Sequence, residues 1–298
     1  MFVMAGAAGL YGTYFVAITP EPQSYLSNEN IFKLLIRPLK HGNFVRLMVF
    51  NSVWVLALYL ATPFFTVFLL KGMQMPLSYI IGLNIVSQLC SILTIRAWGV
   101  FADSYSNKTI LAICAPLYIF CLIGWCFVGI YSTFYANIAL LVGIFIVTGV
   151  STAGINLSLT NIGLKLAPGN EAIVYLSVKN IITSFFSSLA PLAGGILADY
   201  FVSRHLSVRA EWGGPHVTKI FRLIELHEWN FLFAIGAVVA VVALEFLGRV
   251  KETGEVEKDV VVRVMRSHIK HNLKDAFVIG QLLNWHEQFW GFLRKKKS

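Results

Sequence analysis

The chain is a succession of long apolar runs separated by short polar intervals, and within each run the apolar positions are continuous. Crossing the ~30 Å hydrocarbon core of a bilayer takes about 20 apolar residues at the rise of an α-helix. Seven stretches meet or approach that length: Met1–Thr19, Asn43–Leu70, Leu77–Ala102, Ile110–Tyr131, Asn137–Leu164, Ile173–Tyr200 and Trp229–Leu247. Lipid offers the backbone no hydrogen-bond partners, so a spanning segment is either a helix or a strand of a closed barrel. Barrel strands are about half as long and alternate polar with apolar. Continuous runs of this length therefore predict an all-α polytopic membrane protein of about seven transmembrane helices.

Charge then orients the helices. Lys33, Arg37 and Lys40 occupy the first connection, with Arg46 just beyond it; the third holds Lys108 and the fifth Lys165. The second holds Lys71 and the short fourth, Ser132–Ala136, has no basic residue. Past the last run the chain is strongly basic, from Arg249 and Lys251 to the terminal Arg294, Lys295, Lys296 and Lys297. Basic loops stay in the cytoplasm, so the odd connections and the C-terminus are expected inside and the N-terminus outside. The sixth connection, with Arg204, Arg209, Lys219 and Arg222, is the exception; it is expected as an outside loop because the next helix must bring the basic tail inside.

Composition sharpens the picture. Hydrophobic residues make up 57% of the 298 positions and charged residues only 13%, against about 25% charged in soluble domains. The net charge of +9 could suggest nucleic acid, but the basic residues avoid the apolar runs and gather in loops and tail, so none is expected as a partner. The partner expected from composition is the lipid bilayer, and the location is an integral one in the plasma (inner) membrane. The first run lacks the positive start of a signal peptide. Cys90, Cys114, Cys121 and Cys126 all lie within apolar runs and form no C-x-x-C pair, so they read as small buried hydrophobes. The histidines lie in loops and tail, and His268 with His271 has no acidic or cysteine partner nearby; no metal and no cofactor is expected. In the tail, Val256, Val260, Val264, Ile269, Leu273 and Phe277 recur at roughly helical spacing, with Trp285 and Trp290 beside the basic end. That pattern fits an amphipathic helix in the headgroup layer, or else a solvated tail.

Polar residues inside spanning helices are costly and often mark function. Asn51, Asn84, Gln88, Asn156, Thr160, Asn161, Lys179, Asn180 and Ser184 fall within the runs. Asn84 and Gln88 are one helical turn apart. These side chains either line a central polar cavity or hydrogen-bond between helices. Lys179, if it faces a cavity, points to an anionic solute; otherwise it snorkels to the nearby surface, as Arg96 can. Ala190, Gly194 and Ala198 form a small-residue face suited to close helix contact, with Pro191 in the same segment.

The end of the third run, Trp98-Gly99-Val100-Phe101-Ala102-Asp103-Ser104-Tyr105-Ser106-Asn107-Lys108, resembles the G-x-x-x-D-(R/K)-x-G-(R/K)-(R/K) loop of the major facilitator superfamily. Gly99, Asp103 and Lys108 fit; Ser104 stands for the expected base and Ser106 for the second glycine. In that family the loop follows the second helix and, in decayed form, the eighth. The decay here resembles the second copy, and the likeness extends over about Asn43 to Glu255. The resemblance implies a six-helix bundle at 43–250, an inverted repeat of three plus three helices dividing at the fourth connection, and a gating role for Gly99, Asp103 and Lys108. Plain helix packing and capping by Ser104 or Ser106 is the other reading of the same residues. It further implies that 1–19 is the last helix of an absent first half, 20–42 a cytoplasmic linker and 251–298 a cytoplasmic tail. The function implied is transport of a small solute by alternating access, completed by the missing N-terminal half or a second copy.

Two other classes are weighed against this. An enzyme is disfavoured because H-E-x-x-H is absent and Gly149-Val150-Ser151-Thr152-Ala153-Gly154 misses G-x-S-x-G by one residue. A seven-helix receptor or a helper subunit without transport activity fits the helix count, but the last run has no lysine for a retinal Schiff base and leaves the Gly99–Lys108 loop unexplained.

Overall fold

The computed structural model describes residues 2–18, 30–129, 134–168, 171–213 and 218–252. Residues 20–29 of the proposed linker and the tail from 253 onward lie outside the described residues, as do the Trp285 and Trp290 anchors. Eight α-helices are present among the described residues. They are α1 (Phe2–Ile18), α2 (Ile31–Ile36), α3 (Gly42–Val67), α4 (Leu77–Ser104), α5 (Asn107–Trp125), α6 (Phe134–Lys165), α7 (Ala172–Phe201) and α8 (Trp229–Gly248). A 3-10 turn, Arg37–Lys40, leads into α3, and a π turn, Phe68–Gly72, ends it. Six helices, α3 to α8, are long and apolar enough to cross a bilayer. The sequence boundaries hold to a few residues, the largest shift being at α5, which ends at Trp125 instead of Tyr131.

Helix α1 forms over 17 residues, at the short end of the about 17–25 that can span, and its side chains from Leu10 to Ile18 stand exposed. The sixth connection is not an irregular loop: β1 (His205–Gly213) pairs antiparallel with β2 (Thr218–His227), His205 opposite His227, with a bulge between Val208 and Arg209. The signal was present as strict alternation, Leu206, Val208, Ala210 and Trp212 against Ser207, Arg209 and Glu211, the period of a strand rather than of a helix.

The helices pack in a pattern that exchanges the two triplets. Helix α3 packs on α7 and α8; helix α6 packs on α4 and α5. The third members, α5 and α8, pack on each other. Swapping α3, α4, α5 for α6, α7, α8 leaves this contact scheme unchanged. Because successive helices reverse direction, the triplets run in opposite senses, as an inverted repeat requires.

Close helix approach depends on residues without side-chain bulk, since lipid supplies no hydrophobic drive between helices. Ala190, Gly194 and Ala198 are all buried on α7. A Cβ at Gly194 would stand 2.7 Å from the Leu60 carbonyl oxygen of α3, so the two backbones nearly touch there. Gly149 of α6 abuts the Ser87 carbonyl of α4 even more tightly. Gly99 does not serve this purpose: a Cβ there would meet nothing within 4 Å. Between α3, α5 and α8 an aromatic cluster fills the core, with Phe65 stacked on Trp125 at 4.3 Å, Phe68 edge-on to Trp125 and Phe233 tilted against both stacked rings.

Burial is uneven. In α4 and α7 only 11% and 17% of the most apolar stretch is buried, against 39–56% in the other four spanning helices. These two helices are equivalent under the exchange of triplets, and each leaves an apolar side uncovered.

Candidate functional site: a polar cavity and a carboxylate clamp

A cavity of about 470 Å³ lies between α3, α5, α6 and α7. Helix α3 contributes Asn51, Trp54 and Tyr59, α5 contributes Tyr118, α6 contributes Thr152, Asn156 and Thr160, and α7 contributes Lys179, Asn180 and Thr183. The periodicity of each helix explains the set: Thr152, Asn156 and Thr160 are spaced by four and share a face, as do Lys179 and Thr183. The Asn51 amide donates to Thr183 Oγ1 at 2.6 Å, tying α3 to α7 at the cavity wall. Thr183, Thr152 and Thr160 each return their hydroxyl proton to a carbonyl one turn earlier, which keeps these wall positions satisfied in the absence of any partner. Lys179 lies seven residues into α7, roughly 10 Å from that helix's start at 1.5 Å per residue.

Of the cavity candidates drawn from sequence, Asn51, Asn156, Lys179 and Asn180 meet here. Asn84 and Gln88 do not: both are exposed on α4, where the Asn84 amide donates to its own helix at the Ile80 carbonyl. Asn161 is drawn elsewhere, to the helix ends described next. Thr183, Tyr59 and Tyr118 are wall residues that sequence reading passed over; spacing of four from Lys179 would have found Thr183.

The second arrangement is at the basic end of the bundle. Glu252, just beyond α8, is buried, its side chain 2% exposed. Its carboxylate accepts hydrogen bonds from the Ser106 hydroxyl at 2.9 Å and from the Lys108 backbone N–H at 2.7 Å. It also accepts from the Asn107 backbone N–H at 3.3 Å and the Asn107 amide at 3.0 Å, and pairs with Lys165 at 3.0 Å. The first turn of α5 contains no acidic residue, and its leading N–H groups have no partner within the helix. Glu252 supplies the negative charge that the helix N-terminus favours, from 145 positions away. Ser106 completes the cap by accepting from the Thr109 N–H at 3.4 Å; Ser104 bonds only back to Val100. The Asn161 amide donates to Asn107 Oδ1 at 3.0 Å, bringing in α6. Burial alone would raise the Glu252 pKa, but the hydrogen bonds from Asn107, Lys108, Lys165 and Ser106 outweigh it and hold the carboxyl below its ordinary value of 4.5.

Around this clamp the same end is tied twice more. Asn43 exchanges two hydrogen bonds with the Lys251 backbone, at 2.6 and 2.9 Å, and Arg37 forms an ion pair with Glu171. Lys108 thus enters through its backbone N–H, and Asp103 stands exposed. Sequence reading had assigned Glu252 to the tail, because its helix-ending position says nothing of a carboxylate folding back onto a distant loop. The side chain of Lys165 is half exposed, at 51%, so Lys165→Met is expected to lower stability by less than about 1 kcal/mol, read by thermal unfolding of the purified chain.

No family profile and no curated protein matches the sequence. Solved structures do resemble the fold. The nucleoside transporter NupG aligns with a TM-score of 0.58 at 17% identity, over 84% of this chain and 60% of its own. The xylose transporter XylE from E. coli aligns with a TM-score of 0.45 at 15% identity, over 84% of this chain and 58% of its own. A D-xylose-proton symporter gives 0.44 at 17% identity, over 78% and 53%. The chain therefore spans less than two thirds of the transporters it resembles. Six antiparallel helices, each long and apolar enough to cross a bilayer and packed as two exchangeable triplets, give this chain a fold similar to that of NupG over 60% of that protein's length.

Proposed function

We propose that this chain is one half of a secondary transporter that moves a small solute by alternating access. The observation that carries the reading is the polar cavity walled by Asn51, Asn156, Lys179 and Asn180 among otherwise apolar spanning helices. Uncompensated polar groups facing lipid are costly, so a wall of this kind fits a water-filled path. The sparse burial of α4 and α7 supports the need for a second six-helix unit, an N-terminal half or a second copy, laid against these helices. Exposed Asn84 and Gln88 on α4 and the open space at Gly99 fit the same surface. In this reading the basic end, with Arg37, Lys108, Lys165 and Lys251, faces the cytoplasm, and α1 is the last helix of the preceding half. The clamp on the α4–α5 loop is then a latch whose release accompanies the rocking of the two halves.

A test is substituted-cysteine labelling of Asn156→Cys in the full chain, with the native cysteines replaced, using a membrane-impermeant thiol reagent. Labelling is expected from both faces, in intact cells and in inverted vesicles, while Leu93→Cys, on the exposed apolar face of α4 shared with Ile85 and Leu89, labels from neither. Labelling of Asn156→Cys from one face only would favour a receptor or helper subunit, and labelling from neither would remove the water-filled path and the transport reading with it.

A further inference from the structure

The cavity wall carries a single full charge, and it is positive. Lys179 is the one ionised side chain among the fifteen residues that line it; no aspartate or glutamate is among them. The acidic residue closest to it in sequence, Glu171 at the start of α7, is engaged by Arg37, and Lys179 has no ion pair or hydrogen bond to its side chain among the described residues. Its stem is held in place: the space above Gly163 of α6 is occupied by Lys179 Cδ, 3.6 Å from where a Cβ would stand. The surroundings offer further donors. The Trp54 indole N–H is buried without a partner among the described residues, and Asn156, Asn180 and Tyr59 add amides and a hydroxyl. The Asn51 amide is committed to Thr183 and orients the wall.

An unpaired ammonium within a spanning helix is expensive, and it becomes an asset where a mobile negative group arrives to face it. A cationic solute would meet a like charge with no carboxylate to offset it, and a neutral one would leave the ammonium uncompensated. A cavity of about 470 Å³ is of a size that encloses a small organic molecule. We propose that the solute held at this cavity is a small organic anion, a carboxylate or a phosphate ester, with its negative group against Lys179. This rests on the transport reading of the same cavity and names the class of its substrate.

The test is a thermal-unfolding series on the purified full chain, at constant ionic strength, with matched pairs that differ only in charge: succinate and succinamide, benzoate and benzamide, glucose 6-phosphate and glucose. Ligands that bind only the folded state raise the melting temperature. At least one anion is expected to raise it by about 5 °C while its neutral twin leaves it unmoved, and the pair that responds separates carboxylate from phosphate. Lys179→Met is expected to abolish the shift and Lys179→Arg to keep it. An equal rise with the neutral twin overturns the anion proposal on the wild-type chain alone and leaves a solute-binding cavity standing. A Lys179→Met chain that melts normally and keeps the full anion shift overturns it as well. No rise with any of the six compounds counts against both the anion and the solute-binding reading.

Discussion

Glu252→Ala is expected to lower the stability of the purified chain by about 3 kcal/mol, measured by thermal or denaturant unfolding at neutral pH. The carboxylate accepts five hydrogen bonds, two of them from the leading N–H groups of α5 and one from Lys165. Removing it leaves the Asn107 and Ser106 groups, both buried, facing a gap, and hydrogen bonds to a charged acceptor are worth about 1.5–3 kcal/mol each before partial rescue by water. Glu252→Gln keeps one acceptor oxygen and loses the charge, so its cost falls between. The pH dependence has a definite sign. The folded carboxyl titrates below its ordinary 4.5, so its contribution is complete above that value and declines as pH falls through the folded pKa. The gap in stability between wild type and Glu252→Gln therefore narrows on acidification below about pH 4.5. An alanine variant that melts with the wild type at neutral pH would show that the clamp holds nothing.

Gly149→Leu is expected to prevent the bundle from assembling. A Cβ at this position runs into the Ser87 carbonyl and its carbon, and also approaches Cys90 Cβ at 3.1 Å. The first two are backbone atoms of α4 and cannot rotate away, so α4 and α6 must separate along their whole contact. Overpacking of this kind costs about 1–3 kcal/mol when side chains can give, and more where only backbone can move. Trp98 would lose its hydrogen bond to the Val150 carbonyl, 3.0 Å away across the same interface. The readout is the yield of monodisperse protein after detergent extraction. Gly82→Leu is the control, since a Cβ at Gly82 meets nothing within 4 Å, and it should extract as wild type does. If both variants extract equally well, the α4–α6 contact is not the close one described.

Much of this molecule is legible from one dimension because lipid imposes a local rule. Each spanning helix must satisfy its own backbone and cover itself with apolar side chains, so the runs from Asn43 to Leu247 announce six helices, with ends that shift by a few residues. A serine cap, by Ser104 or Ser106, followed from the same kind of local reasoning, since a helix start needs an acceptor three residues ahead of it; the structure chose Ser106. Gly194 was legible as well, because a spacing of four places small residues on one face.

What only the tertiary structure decided depends on which faces meet. A polar residue within an apolar run announces that it is unusual, not what it looks at. Asn51, Asn156 and Lys179 converge on a cavity; Asn84, of the same chemistry, stands on an exposed face; and Asn161 caps a network at the end of the bundle. Rotation of each helix about its own axis makes that choice, and rotation is set by packing between segments as distant as α3 and α7, where Asn51 and Thr183 meet 132 positions apart. Glu252 is the extreme case, a carboxylate whose meaning rests on partners 87 to 146 positions earlier in the chain. The sequence by itself determined the six long apolar helices between Asn43 and Leu247 and their alternating direction, because the solvent acts on each of them separately. The partners of its charges were decided by the fold, because an electrostatic contact is made in space and leaves no period along the chain.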